Sequence, residues 1–376
     1  MLKKLIALIV LIVAVIYIVN IFTIKLSPKQ ETVNFIELPE NFKVEVFADN
    51  LGGSKFSTPG PNPGPRMLML KDDIVFVSVP KQGEVIAFKT KNNKVDERKI
   101  FISNLKNPHG LAYYQDWIYI AEEDRVIRVK DVNKDNVADI ETLEELTKLP
   151  AGSHWTRTIK IFDNSLFISI GSVCNVCFEK DEKRATIQKC ELDGNNCKTF
   201  ASGLRNSVDF LKYNGKIYAS ENSRDMLGNN IPPDEINIIE EGKNYGWPLC
   251  YGKQIHDSEF DKNIYIRNPC EDTEPSFIDL PAHVAPLGLE VYQGTKFPEE
   301  YKNKLFVAYH GSWDSDDPVG YKLVYIDLNT KETKDFATGF LSALTVKGRP
   351  VGIINFNNDL LVTDDNAGKI YRIYYE

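Results

Sequence analysis

The residues best suited to chemistry in this chain recur at two positions relative to its apolar runs. Arg66, His109, His154 with Arg157, Arg205 with Asn206, His283, and Lys347 with Arg349 each stand just before a short apolar run. Cys174, the segment Glu221 to Asp225, His310 to Trp313, and Asp364-Asp365 each follow the next one. Of the five histidines only His256 falls outside this set. Guanidinium and imidazole groups gathered in one place repel unless an anion neutralises them, so the grouping predicts a cationic funnel for an anionic ligand. The richest stretch is Gly203 to Pro248. There Arg205-Asn206 precedes the alternating run Val208 to Leu211, and the turn Tyr213-Asn214-Gly215 leads into Lys216 to Ala219. Glu221 then opens a polar loop that closes only near Ile236. A loop that long inside a compact domain is more often functional than idle.

The elements that must hold these residues repeat. A short strand, a turn containing Asp or Asn, an aromatic-rich strand, a polar loop and a third strand recur six times. The second strands are Ile74 to Val77, Trp117 to Ile120, Leu166 to Ser169, Lys216 to Ala219, Lys304 to Val307 and Asp359 to Val362. Helical periodicity is confined to Asp139 to Lys148 and the region Pro298 to Asn303. The pattern predicts an all-β, six-bladed β-propeller over residues 35–376, with one long insertion between the fourth and fifth copies. A pair of β-sandwiches accounts poorly for six-fold recurrence. In a four-stranded meander the loop into the innermost strand and the loop joining the second and third strands share a face. The two chemically rich positions should therefore converge.

With 376 residues, 43% apolar and 11% aromatic, the chain can bury a large core. Its net charge of -8 and lack of a basic run argue against a nucleic-acid partner. Lys3-Lys4 precedes the apolar run Leu5 to Ile24, long enough to cross a bilayer as a helix. No small-residue cleavage site follows, so residues 1–24 are predicted to be an uncleaved transmembrane anchor and 25–34 a linker. Lys3 and Lys4 would remain cytoplasmic, which puts the propeller on the extracytoplasmic side of the cell membrane, although Lys25 and Lys29 reduce the charge bias. The six cysteines all lie beyond the anchor, consistent with disulfides whose connectivity the sequence leaves open. Cys174 and Cys177 have the spacing of a redox or metal pair, but a second pair at ligand spacing is missing. Asp131 to Asp139 places oxygen residues at alternate positions like an EF-hand loop, with Asn136 in place of the turn glycine and Thr142 in place of the bidentate glutamate.

Several motifs occur in one order: His154-Trp155-Thr156-Arg157, Cys174-Asn175-Val176-Cys177, Gly203-Leu204-Arg205-Asn206, Asp234-Glu235-Ile236-Asn237 and Asn244-Tyr245-Gly246-Trp247-Pro248. Ala285-Pro286-Leu287-Gly288, His310-Gly311-Ser312-Trp313 and Gly348-Arg349-Pro350-Val351-Gly352 follow. From about Leu38 to the C-terminus the chain thereby resembles the PQQ-dependent soluble aldose sugar dehydrogenases, in the branch similar to L-sorbosone dehydrogenases. The resemblance implies a six-bladed propeller that binds pyrroloquinoline quinone (PQQ), a tricarboxylate, together with Ca²⁺. It implies His154 as the general base and Arg205 against the quinone oxygens. Arg157, Asn206, Lys347, Arg349, Cys174 and His310 would approach the cofactor. Ser223 and Arg224 would offer main-chain carbonyls to Ca²⁺ where relatives have a Gly-Pro pair, and Asp225 could add a carboxylate. Lys347 stands where relatives have arginine, keeping the charge and losing the bidentate fork. A general base of this type works best with an imidazole titrating near neutrality. The implied substrate is an aldose or a sugar-derived aldehyde, and the electron acceptor a quinone or cytochrome. A competing reading is a cofactor-free propeller that binds a glycan or a protein. A metal-dependent lactonase fits less well, because the funnel is too cationic.

Overall fold

The structure, a computed structural model, describes residues 33–52 and 64–376. The anchor at 1–24 and nearly all of the linker lie outside the described residues, and among the described residues no helix is long and apolar enough to cross a membrane. Val33 to Glu376 form one unit with six blade sheets, each built on four antiparallel strands, one of which gains a short fifth strand in parallel pairing.

Blade 1 runs through Leu68–Lys71, Ile74–Val79, Glu84–Lys91 and Lys94–Ile102, from axis to rim. Blade 2 comprises Leu111–Tyr114, Trp117–Ala121, Arg125–Lys130 and Asp139–Lys148. Blade 3 comprises Ile159–Phe162, Ser165–Ile170, Thr186–Cys190 and Lys198–Ser202. In blade 4, Phe210–Tyr213, Lys216–Glu221 and Asp234–Ile239 are completed by Ile278–Leu280. Blade 5 is Pro286–Val291, Leu305–Tyr309, Lys322–Ile326 and Thr333–Ala337. Blade 6 takes Pro350–Phe356, Asp359–Asp364 and Lys369–Tyr375 from the C-terminus and its rim strand, Phe42–Ala48, from the N-terminal side. Each innermost strand touches the innermost strands of its neighbours, and the ring closes between blades 6 and 1. Closure leaves no exposed inner edge to pair with another chain.

Local sequence explains the repeat. The first hairpin of blades 2, 3, 4 and 6 turns through Gln115-Asp116, Asp163-Asn164, Asn214-Gly215 and Asn357-Asn358, each with positive φ at both residues. That is the signature of the two-residue turn whose twist matches paired strands. The strands behind these turns are buried nearly throughout, as Val75, Phe76 and Val77 are in blade 1. Blades pack through aromatic edges, with Phe42 meeting Phe297, Tyr301 and Phe336 at ring centroid distances of 4.7, 5.1 and 5.0 Å.

Two expectations need correction. Asp139–Lys148 is the rim strand of blade 2 and not a helix. Its Ile140, Leu143 and Leu146 stand at helix-like spacing, but Ile140 is 59% exposed and two register shifts interrupt the pairing, and its charged side chains pair across strands, Arg128 with Glu144 and Arg125 with Glu145. The long insertion lies within blade 4, between its third and fourth strands, and not after that blade. It carries the Cys250–Cys270 disulfide and lends Lys243–Asn244 to the rim of blade 3. Near Pro298 only one short 3₁₀ turn forms, Glu299–Tyr301.

Candidate functional site

The loops converge as the topology requires. A cavity of about 280 Å³ is lined by His154 and Trp155 from the loop into blade 3, and by Arg205 and Asn206 from the loop into blade 4. Ser223, Arg224 and Asp225 follow from the loop after Glu221, and His310 and Trp313 from blade 5. Arg66, His283 and Arg349 complete the charged lining.

His154 is held in a defined state. Its Nδ1 lies 2.9 Å from the Ser172 carbonyl, which can only accept, so Nδ1 carries the hydrogen. The Ser172 hydroxyl donates to the Cys174 carbonyl and therefore accepts from the same Nδ1 at 2.8 Å. Nε2 is left with its lone pair in the cavity. Burial pushes the imidazole pKa down to about 3, and the charges of Arg205, Arg157 and Arg184 act in the same direction against the Ser172 carbonyl. The expectation of a histidine titrating near neutrality is thus corrected: the cavity keeps it neutral far below that range. In cofactor-free protein the ring ¹⁵N shifts of His154 should stay constant from pH 8 down to 5, where a free imidazole becomes mostly protonated. A midpoint near 6.5 would contradict this.

His154 is also fixed sterically. His154 has φ +46°, outside the conformations most side chains prefer. A Cβ on Gly171, on the strand end beside it, would stand 2.7 Å from the His154 Cβ and 2.9 Å from the Asn206 Oδ1. Gly171→Ala should therefore displace both residues and lower kcat by about 10–100-fold, since small misplacements of a catalytic group carry costs of that order. Unchanged kcat with a native circular dichroism spectrum would refute it.

Arg205 is 5% exposed, and four of its five guanidinium N–H groups are directed to protein acceptors. Nε donates to the Asn175 carbonyl at 2.9 Å, Nη1 to the Asn222 carbonyl at 3.1 Å, and Nη2 to the Asn175 Oδ1 and Asp225 Oδ2 at 2.9 and 2.8 Å. Asn175 also receives the Asp225 N–H and the Trp247 indole N–H. This hub lies between Cys174 and Cys177, which are disulfide-bonded to each other. All six cysteines are paired, with Cys190 joined to Cys197 and Cys250 to Cys270. The disulfide removes the metal reading of Cys174 and Cys177 and is the oxidised form of a redox pair, and Cys174 does not line the cavity.

Buried acids anchor the loops leading into the inner strands. Glu122 accepts the Lys106 N–H, Glu221 the Asn206 N–H, and Asp364 the Arg349 N–H. Burial raises Glu221 to about 8 and Asp364 to about 7 despite these bonds. Asp234, which lines the cavity, accepts the Ser223 and Ala285 N–H groups at 2.9 and 2.8 Å and is raised by burial to about 7. Asp365 behaves oppositely. Burial would raise it, but His310 Nε2 at 3.0 Å and Arg66 at 2.7 Å hold it down to about 2.

The funnel is less cationic than its sequence suggests. Arg66 pairs with Asp365, Arg205 with Asp225, and Arg224 with Asp257, all within 2.8 Å. Arg349 instead donates to the Gly311 and Ser312 carbonyls and to the Tyr321 hydroxyl, and its Nε is buried without a partner. Arg157 is wholly buried and spends its guanidinium on the carbonyls of His154, Thr156 and Pro150, outside the cavity lining. Lys347 is exposed and also outside it. The main-chain oxygens of Ser223 and Arg224 accept no hydrogen bond among the described residues. In the Asp131 to Asp139 loop, the carboxylates of Asp131, Asp135 and Asp139 each accept main-chain N–H groups of the same loop. Asn175, Asp234 and Asp257 were not singled out from sequence. For Asn175 the signal was its place between two cysteines.

Comparison with known proteins matches residues 63–376 to a family model described as TrAA12-like. An uncharacterized protein of Borreliella burgdorferi is 37% identical, over 92% of this chain and 93% of that one. The pyrroloquinoline quinone-dependent pyranose dehydrogenase of Coprinopsis cinerea is 26% identical over 58% of this chain, a match that spans only 39% of that enzyme. The solved holo PQQ domain of pyranose dehydrogenase from Coprinopsis cinerea shares the fold with a TM-score of 0.75 at 20% identity, covering 92% of this chain and 99% of that one.

Proposed function

The chain belongs to the TrAA12-like family, and on that premise we propose that it is a PQQ- and Ca²⁺-dependent dehydrogenase that oxidises an aldose or a sugar-derived aldehyde. The observation that carries this reading is His154, with Nδ1–H fixed by Ser172 and Nε2 turned to a cavity that the hydrogen-bonded Arg205 guanidinium also lines. The residues present fit the cofactor. Asn206, His310 and Arg349 line the cavity and could hold carboxylates and ring oxygens. The Ser223 and Arg224 carbonyls, with Asp225, suit a hard cation. The paired arginines are preorganised donors and not free charges, which favours hydrogen bonding to an anion over bulk attraction.

When bound, PQQ with its Ca²⁺ supplies a polarised quinone carbonyl whose carbon accepts the hydride leaving the substrate. His154 Nε2 takes the proton of the substrate hydroxyl, or of the hydrated aldehyde, and Ser172 keeps the ring oriented as charge forms on it. Arg205, locked by Asn175 and Asp225, stabilises negative charge developing beside it without having to reorganise. Arg157 acts at one remove, tying the backbone on both sides of His154.

Three disulfides support an extracytoplasmic location, since such bonds persist in oxidising compartments. The Leu5 to Ile24 run would tether the propeller to the membrane, near a quinone or cytochrome acceptor. The test is dye-linked oxidation of a panel of aldoses and aldehydes by the purified chain with PQQ and Ca²⁺. Turnover that requires both additions supports the reading, and none with any substrate sinks it. One observation favours a second reading: three cavity arginines already have carboxylate partners, so no anionic cofactor is obligatory. Trp313, 62% exposed at the cavity, would then serve a glycan-binding propeller as a stacking surface.

A further inference from the structure

Beside the cavity, three loops bring Asp225, His283 and Asp314 together, with one ring nitrogen of the histidine and one oxygen of each carboxylate all within 4.8 Å of one another. Among the described residues, each has one polar atom hydrogen-bonded and one without a hydrogen-bond partner. Asp225 Oδ2 holds Arg205 at 2.8 Å, and Asp314 Oδ2 accepts the Met226 N–H at 2.7 Å. His283 Nε2 lies 2.8 Å from the Gly228 carbonyl, so Nε2 carries the hydrogen and Nδ1 keeps a lone pair. His283 is only 9% exposed, and among the described residues its Nδ1 has no hydrogen-bond partner. An imidazole whose second nitrogen donates to a backbone carbonyl is oriented as metal-ligating histidines are.

We propose that Asp225, His283 and Asp314 form a binding site for a first-row divalent transition metal of the Zn²⁺ class. Two carboxylates and an imidazole supply three of the four ligands such an ion takes, leaving one position for water. The Arg205 charge on Asp225 works against any cation, so occupancy depends on imidazole coordination, which Ca²⁺ and Mg²⁺ do not favour. The site is therefore separate in chemistry from the calcium position proposed at the Ser223 and Arg224 carbonyls, although both draw on Asp225. Its place suggests its effect. Asn229 and Asp316 already join the same two loops through paired hydrogen bonds, and the metal would add a second clamp between the blade 4 and blade 5 loops.

The test uses the purified full chain without PQQ, titrated with Co²⁺ and followed by its visible d–d absorption. One saturable Co²⁺ per chain is expected, displaced by Zn²⁺ and not by a large excess of Ca²⁺. His283→Asn suits the positive φ of +62° at this position, and it and Asp314→Asn should each weaken binding at least about tenfold. Absent or non-saturable binding, wild-type affinity in both variants, or displacement by equimolar Ca²⁺ would each overturn the proposal. Circular dichroism of the variants separates lost ligands from lost fold, and since Asp314 takes no part in the proposed chemistry, Asp314→Asn offers the milder probe. The readout needs no PQQ, so the dehydrogenase reading and the metal site can fail independently.

Discussion

Replacing His154 by Ala or Asn is expected to lower kcat by about 10²–10⁴-fold, the range for loss of a positioned general base, while PQQ binds with nearly wild-type affinity. The expectation follows from what the side chain does and does not do. Among the described residues Nδ1 hydrogen-bonds only to Ser172 and Nε2 has no hydrogen-bond partner, so no other hydrogen bond around the cavity depends on the imidazole. Arg157 binds the His154 backbone carbonyl, which both variants retain. His154→Asn also tolerates the φ of +46° and can still donate to Ser172, so it removes the base with little change of shape. Steady-state kinetics on reconstituted protein, with PQQ affinity measured in parallel, gives the answer. Wild-type kcat in either variant would remove His154 from the mechanism, and loss of PQQ binding with intact fold would make it a cofactor ligand instead.

Arg205→Ala should damage both cofactor affinity and turnover, and the fold as well. The change empties a buried position, leaves the Asp225 carboxylate without its partner, and strips donors from Asn175 and Asn222. Removing one member of a buried ion pair costs about 3–5 kcal/mol, and thermal melting should register it. Arg205→Lys separates the effects. Lysine can keep the charge on Asp225 but cannot reach Asn175 and Asn222 with a planar fork. It should recover much of the stability and little of the kcat. If Arg205→Lys turned over like wild type, the directed guanidinium would have no catalytic part.

The fold was legible because its signals are local and repeated. Asn and Asp at the hairpin turns and the apolar second strands recur in register, and six copies leave few architectures. The rim strand Asp139–Lys148 was not legible, because Ile140, Leu143 and Leu146 stand at a spacing that imitates a helix, while a solvent-lined strand with two register shifts shows no clean alternation. The site shows the same division. The loops that carry His154, Arg205, Asn206, Asp225, His310 and Arg349 could be placed from topology, and the structure brings these residues to one cavity. Orientation could not be read. Arg157 and Arg205 look alike in sequence and both donate to backbone carbonyls, yet only Arg205 also lines the cavity and holds a carboxylate. Nor does sequence reveal that Asp365, Asp225 and Asp257 already neutralise three of the arginines: Arg66 and Asp365 stand 299 residues apart, and the nearer pairs, 20 and 33 residues apart, depend on how two loops fold back.

Single-turnover spectroscopy tests most directly whether this cavity holds a redox cofactor against His154. The purified chain, loaded with PQQ and Ca²⁺ and freed of excess, is mixed anaerobically with an aldose or aldehyde from the panel while the cofactor absorbance is followed. About one PQQ should remain bound per chain and be reduced in a single phase by the wild type, and the His154→Asn variant should bind the same amount and stay oxidised. No stoichiometric PQQ retention, or bound PQQ that every sugar and aldehyde leaves oxidised, would contradict the account and leave a binding propeller in its place.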